Sequence, residues 1–223
     1  MREEYVSLVY IIDGFSFHKV DASDRQMLEK IYRLRFEVYA HQRRFIRAED
    51  YPLELESDEY DDHSIQFAAV NPEGEVVGTT RMILNQEEKL SPVLKSFPHL
   101  QASSASIFEV SRFLICKKSC PSRNFPASGA FTRVLIVHGL FQAIYEEAQN
   151  RKLTYWCALM ERSLCQLLRF YGFRTDCVGP DVNLFGYVRP YVGFVADFEK
   201  LQSKISNSNS RPETLPVPIP ELN

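Results

Sequence analysis

No stretch of this 223-residue chain approaches the roughly 18 to 20 uninterrupted apolar residues that a bilayer-spanning helix needs. The opening Met1-Arg2-Glu3-Glu4 also lacks the basic start and apolar run of a secretory leader, so a cytoplasmic protein without an integral membrane segment is expected. A basic excess is missing too: 26 Lys and Arg against 29 Asp and Glu leave a net charge of −3, which argues against a dedicated nucleic-acid binder. Cysteine is scarce and odd in number, five in all (Cys116, Cys120, Cys157, Cys165, Cys177), so reduced thiols are expected in place of a disulfide framework. Cys116 and Cys120 have a C-x3-C spacing, but no Cys/His pair follows at finger-like distance and none of the five histidines sits in a ligand spacing. A bound metal is therefore not expected.

What is present is enough apolar sequence for a substantial core. With 45% hydrophobic and 25% charged residues, the chain fits one large domain, here assigned to residues 1–205. The polar and proline-rich end, residues 206–223, reads as a loosely held tail. A strand is expected over Phe15 to Val20. After it, Asp21-Ala22-Ser23-Asp24 offers N-caps to a helix carrying Met27, Leu28, Ile31, Leu34, Arg35 and Val38 at the helical period. Arg35 and Tyr39 are four residues apart and share a face of that helix.

From Arg43 to His63 neither the helical nor the strand period holds, and the stretch is rich in charge and aromatics. Loops this long are usually functional or disordered, and the aromatics favour the first. Two strands follow, Ser64 to Val70 and Glu75 to Leu84, joined by the turn Asn71-Pro72-Glu73-Gly74. A short helix is expected around Val93-Leu94. The remainder alternates: a helix from about Gly129 to Asn150, a strand over Leu153 to Leu159, a helix over Glu161 to Phe170 closed by Gly172, and strands near Phe173 to Val178 and Val182 to Val195. The class implied is a mixed sheet flanked by helices, α/β in the broad sense and α+β in the narrower one.

The stretch Ile107-Phe108-Glu109-Val110-Ser111-Arg112-Phe113 sets an acid and a base inside an apolar strand pattern. A charge buried alone there costs several kcal/mol, so Glu109 and Arg112 must be paired or used. Strict alternation sends the two to opposite faces. A bulge near Val110 or Ser111 would bring them to one site and free a backbone N–H, and bulges recur beside active sites.

The series Arg35-x3-Tyr39-x5-Phe45, then Asp58-Glu59-Tyr60-Asp61, then Gly78-Thr79-Thr80-Arg81, then Glu109-Val110-Ser111-Arg112-Phe113 resembles the pattern of acyl-homoserine lactone synthases. That family has Arg, Phe, Trp, two Asp, Arg, Glu and Arg in this order, with Tyr39 here in place of its Phe and Phe45 in place of its Trp. The wording from Glu49 to Ser64, with the late Tyr187-Val188-Arg189-Pro190-Tyr191, is closer still to acyltransferases associated with the PEP-CTERM/exosortase system and to long-chain N-acyl amino acid synthases. The resemblance covers about residues 15 to 195 and implies a GNAT-like acyl-CoA N-acyltransferase fold.

By that resemblance Glu109 is the general base, acting directly or through a water, with Arg112 and Ser111 beside the reacting thioester. Asp58 and Asp61 lie on the side of the amine acceptor. Arg35 and Arg81 brace the loop by bidentate pairing with those carboxylates or contact the acyl donor. Tyr39, Phe45 and Phe113 order the loop and the substrate. Relatives of this fold usually place a glycine-rich turn before the helix that follows the Glu strand. Here that place runs from Lys117 to Ala130 with one glycine, and Lys117, Lys118, Arg123, Ser128 and Gly129 are the donor-binding candidates. Their charge suits the acidic surface of acyl carrier protein as well as CoA. The activity implied is N-acyl transfer from either thioester to the amine of an amino acid or similar molecule, with no permanently bound cofactor. The alternatives are a lactone synthase using S-adenosylmethionine as acceptor, and a catalytically silent module that binds acyl chains or carrier protein.

Overall fold

The computed structural model describes residues 7–86, 89–116, 128–183 and 187–199, and the proline-rich tail lies outside them. In chain order the regular elements are β1 (Ser7–Ile12), β2 (Phe15–Val20), α1 (Arg25–Phe36), β3 (Ser64–Val70), β4 (Val76–Leu84), α2 (Pro92–Ser96), β5 (Ile107–Ile115), α3 (Ser128–Asn150), β6 (Tyr155–Met160), α4 (Arg162–Phe170), β7 (Thr175–Cys177), β8 (Val182–Asn183) and β9 (Tyr187–Phe194). They divide into two compact units interleaved in sequence. One is formed by Met1–Leu84 and Val110–Glu147, the other by Asn85–Glu109 and Ala148–Asn223. Strand β5 therefore starts in the second unit and finishes in the first.

In the first unit β1, β2, β3 and β4 pair in sequence order, all antiparallel, and β4 neighbours β5. The β1–β2 hairpin was not anticipated. Its two-residue turn is Asp13-Gly14, both with positive φ (49° and 82°), the backbone that a type I′ turn requires. The β3–β4 turn runs as expected: Asn71 Oδ1 accepts from the Glu75 N–H at 2.8 Å, and Gly74 takes φ 82°. Helix α1 starts where the caps predict, the Met27 N–H donating to Asp24 Oδ1 at 2.9 Å. Its apolar stripe, Leu28, Ile31 and Leu34, packs with Val20, Ala68, Val76 and Leu114. Beyond Phe36 the chain widens into a π-helical turn, Glu37–Gln42, a local form that often marks functional sites.

The second unit holds the parallel pair. Ile107, Phe108 and Glu109 of β5 run beside Tyr155, Trp156 and Cys157 of β6, and the register ends at Glu109. Strand β6 pairs antiparallel with β9, which also takes β7 and β8. The single strand expected over Val182 to Val195 is thus two, β8 and β9, that pair with each other. Val93, Leu94, Phe97, Ile107 and Cys157 form this unit's buried cluster.

The strand β5 is irregular, though one residue later than anticipated. Arg112, not Val110 or Ser111, leaves the extended region, with φ at 52°. For a long side chain this left-handed conformation costs on the order of 1–2 kcal/mol and persists only where the surroundings hold it.

Packing of β2 on α3 yields a sign test. Alanine normally favours a helix interior over glycine by about 1 kcal/mol. A Cβ at Gly139, however, would stand 2.0 Å from the ring of Phe17, which is fully buried and stacked with Tyr10 at 4.9 Å. Overpacking of this kind costs about 1–3 kcal/mol. Gly139→Ala is therefore expected to lower Tm, and a thermal melt showing a rise would contradict the packing.

Candidate active site

Three arginines from three different elements meet three acids of one loop. Arg35 comes from α1, Arg81 from β4 and Arg112 from β5, while Glu56, Asp58 and Asp61 come from the long segment before β3. Arg35 donates through Nε to Glu56 and through Nη1 and Nη2 to both oxygens of Asp61, at 2.8 and 3.1 Å. Arg81 grips both oxygens of Asp58 at 2.5 and 3.0 Å and also reaches Asp61 Oδ1 at 2.8 Å. Arg112 donates through Nη2 to Glu56 Oε1 and to Asp58 Oδ2, both at 2.8 Å. Each acid thus joins two arginines and each arginine joins two acids. The six charges alternate in a closed ring, Arg35, Glu56, Arg112, Asp58, Arg81, Asp61 and back, with zero net charge.

Each guanidinium also faces a tyrosine: Arg35 over Tyr32 at 5.2 Å, Arg81 over Tyr60 at 5.9 Å and Arg112 over Tyr39 at 5.5 Å. Tyr39 in turn stacks on Phe45 at 6.1 Å. The side chains of Arg35, Arg81, Glu56 and Asp61 are at most 5% exposed, whereas Asp58 and Arg112 are 25% and 24% exposed. The ring is therefore sealed on one side and reaches solvent at the Asp58–Arg112 pair.

The electrostatics follow from this closure. Burial alone would push the Asp61 carboxyl up, but Arg35, Arg81 and the Asp58 N–H more than offset it and hold it at about 2. Asp58 is shifted down in the same way, burial being outweighed by Arg81 and Arg112. Burial opposes the charge on Arg35, and Glu56 and Asp61 overcome it, so its proton is held more tightly than usual. Asp61 accepts from Arg35 twice, from Arg81, from Gln66 Nε2 at 2.8 Å and from the Asp58 N–H at 2.8 Å. Five donors exhaust the roughly four lone-pair positions of a carboxylate.

Of the site residues named from sequence, Arg35, Tyr39, Phe45, Asp58, Asp61, Arg81 and Arg112 converge here. Ser111 joins them, its Oγ accepting from Arg81 Nε at 3.0 Å. Phe113 stacks on Phe141 of α3 at 4.8 Å. Glu109, buried in the second unit, accepts from the Val93 N–H at the start of α2 at 2.8 Å. Burial and then the charge of Glu109 push the neighbouring Cys157 thiol well up. Lys117, Lys118 and Arg123 lie outside the described residues, and Ser128 and Gly129 open α3 with their side chains likewise outside.

Glu56 is the residue that sequence reasoning passed over. It is 1% exposed and joins Arg35 to Arg112. Charge counting could have found it: three arginines placed at one site against two aspartates leave one buried cation without a partner.

Residues 34–123 match the family model described as an acetyltransferase (GNAT) domain. Among solved structures, the chain is similar to the CoA-dependent acyl-homoserine lactone synthase BjaI with SAM and isopentyl-CoA, at 22% identity over 86% of this chain and 90% of that one, TM-score 0.64. It is similar to TofI in a ternary complex with an inhibitor and MTA, at 20% identity over 83% and 96%, TM-score 0.62. It is also similar to FeeM, an N-acyl amino acid synthase from uncultured soil microbes, at 16% identity over 86% and 96%, TM-score 0.55. No curated protein matches it in sequence. The chain has the GNAT fold.

Glu56→Gln leaves two guanidiniums short of charge in a buried ring and should destabilise the protein by about 3 kcal/mol, read as a lower urea midpoint at unchanged slope. A loss below about 0.5 kcal/mol would mean that the ring contributes nothing through this residue. The acid limb follows from Asp61. Its carboxyl lies near 2 in the fold against an ordinary 3.8, so its stabilisation is complete above about pH 4 and is lost as pH falls toward 2. The full difference is about 2 kcal/mol. Urea unfolding at pH 5, 4 and 3 should show a midpoint that holds and then drops, and a midpoint constant to pH 3 would contradict the assignment.

Proposed function

We propose that this GNAT-fold chain is an N-acyltransferase moving a medium or long fatty acyl group from a CoA or acyl-carrier-protein thioester to the amine of an amino acid or amino-acid-like molecule. The closed charge ring carries this reading. It ties the irregular end of β5, with Ser111 and Arg112, to the acids of a long loop, in a fold whose similar structures include acyl-homoserine lactone synthases and an N-acyl amino acid synthase. Fold likeness supports the reaction class and the site supports the roles.

In this reading Glu109 is the base. Held by the Val93 N–H, its carboxylate takes the proton of the attacking amine, directly or through a water. The amine nitrogen bonds to the thioester carbonyl carbon, the C–S bond breaks, and the thiol leaves with a proton. In this reading a backbone N–H of β5 beside the left-handed Arg112 meets the oxygen on which negative charge builds. Ser111, whose Oγ accepts from Arg81, keeps its own hydroxyl proton to donate. Arg35, Arg81, Asp58 and Asp61 hold the loop, and Tyr39, Phe45 and Phe113 shape the approach of the substrates. Lys117, Lys118 and Arg123, with Ser128 and Gly129, receive the donor, whether CoA or the acidic surface of a carrier protein. A cytoplasmic location and an association with exosortase-type systems belong to the same reading, as does the lack of a resident cofactor.

The experiment is to incubate the purified protein with long-chain acyl-CoA or acyl-carrier protein and a set of free amino acids, and to identify products by mass spectrometry. An N-acyl amino acid is expected. Glu109→Gln keeps an oxygen for the Val93 N–H and should fold normally while turnover falls by about 10²–10⁴. Release of methylthioadenosine with a lactone from S-adenosylmethionine would reassign the protein to homoserine lactone synthesis. Binding of thioester with no product from any amine would make it a silent module.

A further inference from the structure

In the second unit, helix α2 starts without a cap of its own. The first N–H groups of a helix have no partner within it, and Ser91, at the capping position, accepts none of them with its side chain. Two of these groups reach side chains outside the helix, with Pro92, which has no N–H, between them. The Val93 N–H donates to Glu109 Oε2 at 2.8 Å, so the proposed base stands where a capping oxygen usually stands. The Ser91 N–H donates to Asn85 Oδ1 at 2.8 Å, and Asn85 Nδ2 donates in turn to the Ile107 carbonyl at 2.9 Å. With an N–H on one side and a carbonyl on the other, the Asn85 amide fits in one orientation only.

Asn85 therefore ties the start of α2 to the start of β5. Packing brings the same two elements together: Val93, Leu94 and Ile107 share a buried cluster with Cys157. Ile107 and Glu109 are two residues apart on the regular part of β5 and point to one face. Apolar packing is non-directional, however, and a base must be aimed. The rigid amide supplies the direction, gripping the chain two residues before Val93 and again two residues before Glu109. From β6 the Cys157 thiol faces Glu109, kept protonated by its burial and by the carboxylate's charge, and adds no charge of its own. From α2 comes the Val93 N–H, whose hydrogen bond favours the ionised carboxylate.

We propose that Asn85 is a positioning residue for acyl transfer: by holding the Ser91 N–H and the Ile107 carbonyl together, it fixes the Val93 N–H on Glu109 and so sets the aim and the ionisation of that carboxylate. The inference rests on the reading of Glu109 as the base. It adds a residue that touches neither substrate and acts through a backbone turn.

The test uses the full chain with its glutamate carboxyls labelled with carbon-13, the Glu109 signal being assigned by its absence from Glu109→Gln. Titrated by NMR, Asn85→Ala should show the Glu109 midpoint about one pH unit higher than in the unaltered chain, because a weaker hydrogen bond to the carboxylate favours its protonated form. In the acyl-transfer assay kcat should fall about tenfold and its acid limb should move up with that midpoint, while KM for the thioester changes less than about twofold. A purely structural role for Asn85 would move neither the midpoint nor the limb. Asn85 is half-buried, so water can reach the groups it leaves behind and the variant is expected to fold. If it does not, amide hydrogen exchange on the unaltered chain decides: the Ser91 and Val93 amides should exchange together as one unit, and rates differing by more than about 100-fold would overturn the clamp. A folded Asn85→Ala with an unchanged Glu109 midpoint, in a chain that does transfer acyl groups, sinks this inference alone. A shifted midpoint in a chain that acylates no amine sinks the acyltransferase reading and leaves Asn85 as the residue that sets the ionisation of Glu109.

Discussion

Everything in the first unit that concerns chemistry depends on one electrostatic constraint: charges removed from water must be neutralised in place. A single buried ion costs several kcal/mol even after relaxation, and a simple pair recovers that only with good geometry and satisfied hydrogen bonds. Six ions in an alternating ring meet both conditions, since every carboxylate sees two cations and every guanidinium two anions. The energetic consequence is cooperative. Removing any member leaves two neighbours short, so the ring behaves as one element and not as separable pairs. Its structural consequence is to fasten a loop with almost no regular structure to α1, β4 and β5 at once.

The same constraint accounts for two local departures from regular geometry. Helix α1 gives way to a π turn after Phe36, the residue next to Arg35, and that turn carries Tyr39, whose ring lies under Arg112. Strand β5 takes its left-handed residue at Arg112 itself, the member that must reach Glu56 and Asp58. A conformation that costs about 1–2 kcal/mol is tolerable where several charge-assisted hydrogen bonds depend on it. Glu109, three residues earlier on the same strand, is held differently, by a backbone N–H of α2.

Much of this was legible before any coordinates. Periodicity and caps located α1, turn chemistry located the β3–β4 hairpin, and the resemblance of the polar series to that of acyl-homoserine lactone synthases implied that Arg35, Asp58, Asp61, Arg81 and Arg112 share one place. Three things were not read, for different physical reasons. The β1–β2 hairpin carries an Asp-Gly turn signal, but Leu8 to Ile12 is a continuous apolar run without the alternation that marks a half-buried strand. Glu56 sits in a string of acids where composition cannot distinguish a buried member from its solvated neighbours, and only the charge balance of the assembled ring does. The π turn is imposed by tertiary contacts and has no signature in single-residue preference, and for the same reason the irregularity expected in β5 falls on Arg112 and not on Val110 or Ser111.

A neutral ring also limits what the site can attract. From outside, its alternating charges cancel within a few ångströms, so a cationic substrate gains little by approaching the four sealed members. Recognition must come from groups at the edge of the ring that keep unused capacity. The partly exposed Asp58–Arg112 pair is one such place, but each partner already serves another member of the ring, Arg81 and Glu56 respectively. Gln66, buried beside the ring, donates to it through Asp61 and adds no charge, so the neutrality of the six ions is preserved at that edge as well.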